Sequence, residues 1–136
     1  MLFTLLFLLI GCSQKPKPIH LNSDECAHCQ MMITDARFAA QIVNEKGKAI
    51  KFDAIECLAE YYKNREEEPQ NARIWLSDFN DPGNWIEAGR AVIIRSDEIQ
   101  SPMGESLLAL PNEQEAENHL NNYPGEISGW SELINE

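Results

Sequence analysis

Two short helices, each preceded by strand-like sequence and opened by a capping signal, set the architecture this chain can adopt. The first signal is Asp53 with Glu56 three residues on; the second is Asn112 with Glu115 at the same spacing. In such a box the leading side chain accepts from the amide three residues later and the acid reaches back, which satisfies two orphan donors at a helix start. After Asp53, the residues Ala54, Cys57, Leu58, Tyr61 and Tyr62 share one helical face; after Asn112, so do Ala116, His119, Leu120 and Tyr123. Ahead of the first helix, residues 37–43 and 49–52 form strands around a hairpin turn that contains Gly47. Residues 72–76, 85–88, 91–94 and 107–110 are also strand-like, with Gly89 and Arg90 marking a bend. The run 91–94 is apolar on both faces, as a doubly buried strand requires. A charged loop over 65–71, with Pro69, separates the halves, and the tail around Trp130 and Leu133 packs as a turn or short helix. The expectation is an α+β fold of two small ββα-type units side by side, with antiparallel strands and two capped helices. The units form a pseudo-repeat over roughly residues 23–70 and 71–136.

The residues that carry chemistry are gathered in Cys26-Ala27-His28-Cys29-Gln30-Met31-Met32. Thiolate and thioether are soft donors, and together they favour Cu(I) over cations that want oxygen. A redox Cys-x-x-Cys uses Cys26 and Cys29 but leaves the methionines idle. A zinc site needs four ligands and does not favour thioether. A Cys26–Cys29 disulfide is the third reading. Met32 is the expected hydrophobic anchor that turns Met31 the other way. His28 is a further nitrogen donor or a solvated loop residue, His119 a helix-face residue, and His20 an inert member of the tether. Cys57 is either a small buried hydrophobe or a third thiol at the helix edge. Met103 sits in the turn Ser101-Pro102-Met103-Gly104, at a surface position where a methionine gains little from packing. If the two units face each other, Met103 completes a site begun by Cys29 and Met31.

The N-terminus is an export signal. Residues 1–10 are almost wholly apolar, too few to span a bilayer, and they end in Leu9-Ile10-Gly11-Cys12, which looks like a bacterial lipobox. Residues 1–11 are then a lipoprotein signal peptide, Cys12 carries the lipid, and residues 12–22, with Pro16 and Pro18, are an extended anchored tether ahead of a domain over 23–136. Ser13 rather than Asp after the lipid cysteine leans towards the outer membrane over the inner. Of four cysteines, Cys26, Cys29 and Cys57 are left with thiols once Cys12 is lipidated. An odd number excludes complete disulfide pairing. The formal net charge of −11, with no Lys/Arg cluster in the sequence, argues against a general nucleic-acid role.

Cys26-x-x-Cys29-x-Met31, Phe52-Asp53 entering a helix, and Ser101-Pro102-Met103-Gly104 together resemble the NosL family of nitrous-oxide-reductase accessory lipoproteins. The resemblance runs from Cys12 to the helix around Leu120. It implies two ββα-type units related to the organomercurial lyase fold, and a non-enzymatic, periplasmic, lipid-anchored copper chaperone. Such a chaperone binds Cu(I) and supplies it to nitrous oxide reductase. Carried over by position, the implied metal ligands are Cys29, Met31 and Met103, with Cys26 at a position that is cysteine in only part of the family. Gln30 departs from the glycine usual there. A Cys-x-x-Cys thiol oxidoreductase and a structural lipoprotein with a Cys26–Cys29 disulfide are the competing functions. Carbon–mercury cleavage is suggested by fold analogy alone.

Overall fold

The computed structural model describes residues 13–65 and 71–136. The signal peptide and Cys12 lie outside the described residues, as does most of the loop around Pro69. Strands β1 (Ala40–Val43) and β2 (Ala49–Phe52) form a hairpin, helix α1 (Ile55–Lys63) follows, and β3 (Arg73–Ser77) returns along the free edge of β1. Strand β4 (Trp85–Glu87) extends this sheet to the order β2-β1-β3-β4, antiparallel throughout. After a 3-10 turn at Ala88–Arg90, β5 (Val92–Arg95) pairs with β6 (Leu107–Leu110). Helix α2 (Glu113–Leu120) precedes β7 (Glu126–Ser128), which takes the other edge of β5, and α3 (Trp130–Leu133) closes the chain.

The same ββαβ path is therefore traced twice. In each unit the first strand is central, the second pairs on one side, and the strand after the helix pairs on the other. The sheets do not divide at residue 70, because β3 and β4 both join the first one. The reason is in the register: β1 has two edges, β2 satisfies one, and Ile74 and Leu76 of β3 stand opposite Ile42 and Ala40 on the other. An unpaired edge there would leave backbone donors and acceptors buried.

Alternation sorts the side chains. Ala40, Ile42, Phe52 and Leu76 face α1, where they meet Ile55, Leu58 and Ala59 in the main core. Ile93, Leu107 and Ala109 of the second sheet join the same core, whereas Ile94, Leu108 and Leu110 point to the opposite side, beneath Ala116 and Leu120 of α2. Strands β5 and β6 are thus buried on both faces, and one core spans both units. Asn112 caps α2, its Oδ1 accepting from the Glu115 amide at 2.9 Å. Helix α1 behaves differently from its sequence signal. Its N-cap is Ala54, with no side-chain cap, while Asp53 and Glu56 are both buried and turned to other partners.

The outer face of the first sheet is covered by the N-terminal segment. Gln41 is 0% exposed although it points away from the core. Its amide exchanges two hydrogen bonds with the backbone of Lys17, at 2.8 and 2.9 Å. Trp75 Nε1 donates to the Gln14 carbonyl at 3.0 Å, and Lys51 Nζ donates to the Pro18 carbonyl at 2.8 Å. At Gly47, φ is +78°, and a Cβ would meet the Ser13 carbonyl oxygen at 3.0 Å. Glycine serves there both as the turn residue and as clearance for the strap. Among the described residues, no helix is long and apolar enough to cross a membrane.

Candidate metal centre

The loop that carries the cysteine run is a tight hairpin. Glu25 bridges Met32, the Cys26 amide donates to the Met31 carbonyl at 2.8 Å, and the Gln30 amide donates to the Cys26 carbonyl at 2.9 Å. Closing so short a loop puts Gln30 at φ +65°, the left-handed region, which accounts for glycine as the unstrained choice at this position. The Ala27 amide donates to the Lys51 carbonyl at 2.9 Å, which pins the loop to β2. Lys51 Nζ meets Asp24 Oδ2 at 2.6 Å and ties the loop's base to the same strand. The hydrophobic anchor is Ile33, fully buried, and not Met32, which is 51% exposed.

Pinned in this way, the loop brings its thiols to the start of α1. One ligand atom from each of Cys26, Cys29, Asp53 and Cys57 lies within 4.8 Å of the others. Each arrives from a defined element: Cys26 and Cys29 from the two ends of the hairpin turn, Asp53 from the end of β2, Cys57 from the first turns of α1. All three thiols are free. Cys29 Sγ lies 3.5 Å from Asp53 Oδ2, while the other oxygen, Oδ1, is buried without a partner. A buried carboxylate oxygen left open beside three sulfurs fits a bound cation, because a vacant acceptor is otherwise costly.

The three sulfurs differ electrostatically. The Cys57 thiol hydrogen-bonds to Cys26 and, with backbone amides around it, lowers the Cys26 pKa from 9.0 to about 6 against the opposing effect of burial. Burial raises the Cys29 pKa, and the neighbouring Cys26 adds to it. Cys57 is raised most, because its proton is committed to Cys26 and it lies buried beside Asp53. Of the three sulfurs, Cys26 is the one pushed towards the thiolate, whereas Cys29 and Cys57 are pushed towards the thiol.

The second unit reaches this centre through the turn at residues 101–104, where the Gly104 amide donates to the Ser101 carbonyl at 3.1 Å. The Ser101 hydroxyl donates to the buried carboxyl of Glu56, beside Cys57, and accepts from the Ser106 amide at 3.0 Å. Met103, at the corner of this turn, lines a cavity of about 60 Å³ with His28, Glu56, Cys57, Glu60 and Glu105. It is 42% exposed, and Met31 is 48% exposed on the hairpin loop. The structure therefore gathers Cys26 and Cys29 in one cluster, places Met103 at a cavity that opens onto Cys57, and leaves Met31 on the surface. His119 lies elsewhere: it packs edge-on against Phe79, with centroids 5.8 Å apart. Asp53 and Cys57 are the members that sequence reasoning did not assign. The signal was in the sequence, since Phe52-Asp53 stood out as a motif and Cys57 shares its helix.

A two-unit α+β fold with a half-buried cluster of soft donors at the junction of a hairpin and a helix defines a small metal-binding protein class. The family model of NosL matches residues 18–136, and the chain belongs to the NosL family. Among solved structures, the fold is similar to that of the copper chaperone NosL from Shewanella denitrificans. The TM-score is 0.73 at 17% identity, covering 88% of this chain and 96% of that one. No curated protein sequence matches the chain.

Proposed function

We propose that this chain is a lipid-anchored Cu(I) carrier on the periplasmic side of a membrane, the outer one by its Ser13, which supplies copper to nitrous oxide reductase. The observation that carries this reading is the cluster of three free sulfurs around one open carboxylate oxygen. The likeness in fold to a copper chaperone, that of Shewanella denitrificans, points the same way. Cys26, whose pKa is lowered by the Cys57 thiol, is the sulfur that gives up its proton to Cu(I) most readily. Cys29, at the cluster's exposed side, loses its proton as the ion binds. Met31 and Met103, on exposed turns, supply thioethers that do not titrate, suited to taking up and releasing the ion at the surface. The cycle is binding and ligand exchange, with no covalent intermediate.

Two observations bear on the alternatives. The Cys-x-x-Cys occupies a hairpin loop, whereas a thioredoxin-like motif opens a helix. The set of three sulfurs and one carboxylate also has the number of donors that a tetrahedral zinc ion takes. Anaerobic Cu(I) titration of the form beginning at Ser13, against a chromogenic chelator and with Zn(II) as competitor, separates these. The carrier reading expects one Cu(I) per chain, held over excess Zn(II), lost in Cys29→Ser and weakened in Met31→Ala and Met103→Ala. Preference for Zn(II), or Cu(I) affinity unchanged in Cys29→Ser, rejects it, and insulin reduction by the apoprotein would move the oxidoreductase forward. Delivery is read by restoring activity to copper-free nitrous oxide reductase with the loaded chain.

A further inference from the structure

The segment expected to be an extended tether is hydrogen-bonded to the domain between Gln14 and Pro18, and it runs in a definite direction. Gln14 Nε2 donates to the carbonyls of Val43 and Asn71, and Ser13 lies against Gly47, so the strap begins at the β1–β2 turn. Lys17 pairs with Gln41 in mid-strand, and Pro18 meets Lys51, two residues before Asp53 of the metal site. The residue that follows Cys12 is thus held at one end of the sheet, and the cysteine loop is held at the other. From Lys48 to Asp53 the extended chain covers about 17 Å.

The end where the strap begins is also basic. Lys15, Lys46, Lys48 and Arg73 are all exposed there, Arg73 by its pairing opposite Val43. Glu45 is the acidic member of that turn. Among the described residues, Arg37, Lys51, Lys63 and Arg95 are in ion pairs; Lys15, Lys46, Lys48 and Arg73 are not, and neither are Lys17, Arg65 and Arg90. At this end, among the described residues, the four cations stand against the single acid Glu45, in a chain whose net charge is −11; Glu66, Glu67 and Glu68, which precede β3 in the sequence, lie outside the described residues.

We infer that residues 13–18 are a docked strap that mounts the domain in one orientation on an anionic phospholipid surface, with the β1–β2 turn against the headgroups and the metal loops facing away. The inference rests on the reading of Cys12 as the lipid-bearing residue. Ser13, the residue after it, is held at the basic end, and basic side chains near an anionic bilayer add attraction that one acyl-bearing residue alone does not orient. A flexible tether would let the acidic domain tumble, whereas a strap with its hydrogen bonds made has no slack between Ser13 and Pro18.

Amide hydrogen exchange of the full lipidated chain on vesicles tests this. On phosphatidylglycerol vesicles, exchange in residues 44–48 should slow about tenfold or more relative to the form beginning at Ser13 in solution. Residues 26–31 and 101–106 should exchange as in solution. Lys46→Glu with Lys48→Glu, at exposed turn positions that leave the core untouched, should remain anchored and lose the slowing. Protection of the metal loops, no change at the turn, or equal slowing on phosphatidylcholine vesicles overturns the oriented mount. The intact mass of the membrane-bound protein reports on the anchor separately. A chain without lipid at Cys12 overturns the anchor and the mount together, whereas a lipidated chain with protected metal loops overturns the mount alone.

Discussion

Replacing Cys57 by alanine and by serine asks whether the centre's ionisation pattern governs its affinity. The Cys57 thiol is the foremost cause of the lowered Cys26 pKa, from 9.0 to about 6. At pH 7, a thiol with a pKa of about 6 is about nine-tenths ionised, and one near 9 is about one part in a hundred. A metal ion competing with that proton therefore gains about 90-fold in apparent affinity from the shift. Alanine removes the donor; serine removes the sulfur and keeps a donor. Backbone amides of Cys29, Asp53 and His28 still stabilise the thiolate, so Cys57→Ala should bind Cu(I) between about 10- and 90-fold more weakly than Cys57→Ser at pH 7. The sign with pH follows from the lowered value. With a donor kept at position 57, proton competition at Cys26 should fade as pH rises through the lowered value, whereas without it the competition should persist up to the ordinary thiol range. Chelator-competition titrations under anaerobic conditions from pH 5.5 to about 9.5, corrected for the chelator's own titration, read this out directly. The two variants should converge at the alkaline end. Equal affinity at pH 7, or a gap that does not close by about pH 9.5, refutes the reasoning. A loss shared by both variants at every pH instead marks the Cys57 sulfur as a ligand.

Four other outcomes follow from the structure. Asp53→Asn removes a negative charge that raises both Cys29 and Cys57, so the pH midpoint for alkylation of Cys29 should move down, as followed by peptide mass spectrometry. Glu56 has its pKa raised by burial, so the folded state holds this proton more tightly than the unfolded chain. Its contribution to stability is full below the ordinary carboxyl range and declines as pH rises through the raised value; Glu56→Gln should flatten that part of the urea-midpoint profile. Ser101→Ala deprives the buried Glu56 carboxyl of its hydroxyl partner and should cost about 1–3 kcal/mol in urea unfolding, with Cu(I) binding weakened through the loosened Met103 turn. Gln30→Gly relieves the left-handed backbone at φ +65° and should stabilise the fold by about 1 kcal/mol while leaving Cu(I) affinity within about twofold.

Where local periodicity governs, the fold was legible in the sequence. Residues 49–52 formed a strand with the expected bounds, because an alternating apolar run bounded by Gly47 and Asp53 has few alternatives. The capped second helix began where Asn112 announced it. The first helix misled for an instructive reason. Asp53 and Glu56 have the spacing of a capping box, but both side chains turn inward, one to the thiols and one to Ser101. Spacing cannot distinguish a capping carboxylate from one committed to a site. The phase of the repeat was hidden as well, since the pairing of β3 with β1 is a long-range contact that no window of sequence contains. The docking of residues 13–18 rests on Gln41, a polar residue whose burial depends on what covers it.

The arrangement of the three thiols also separates reactivity from reach. Cys26, the sulfur with the most thiolate character, is 0% exposed and belongs to the main core. Cys29, which solvent can reach, keeps its proton above the ordinary thiol range. A peroxide or a disulfide needs both an ionised sulfur and a line of approach to it, and here the two properties reside on different residues. On this arrangement the apoprotein should oxidise slowly in air and with small disulfides, although its sulfurs lie close together. A small soft cation would meet no such separation, because ligand atoms of both residues lie within 4.8 Å of one another.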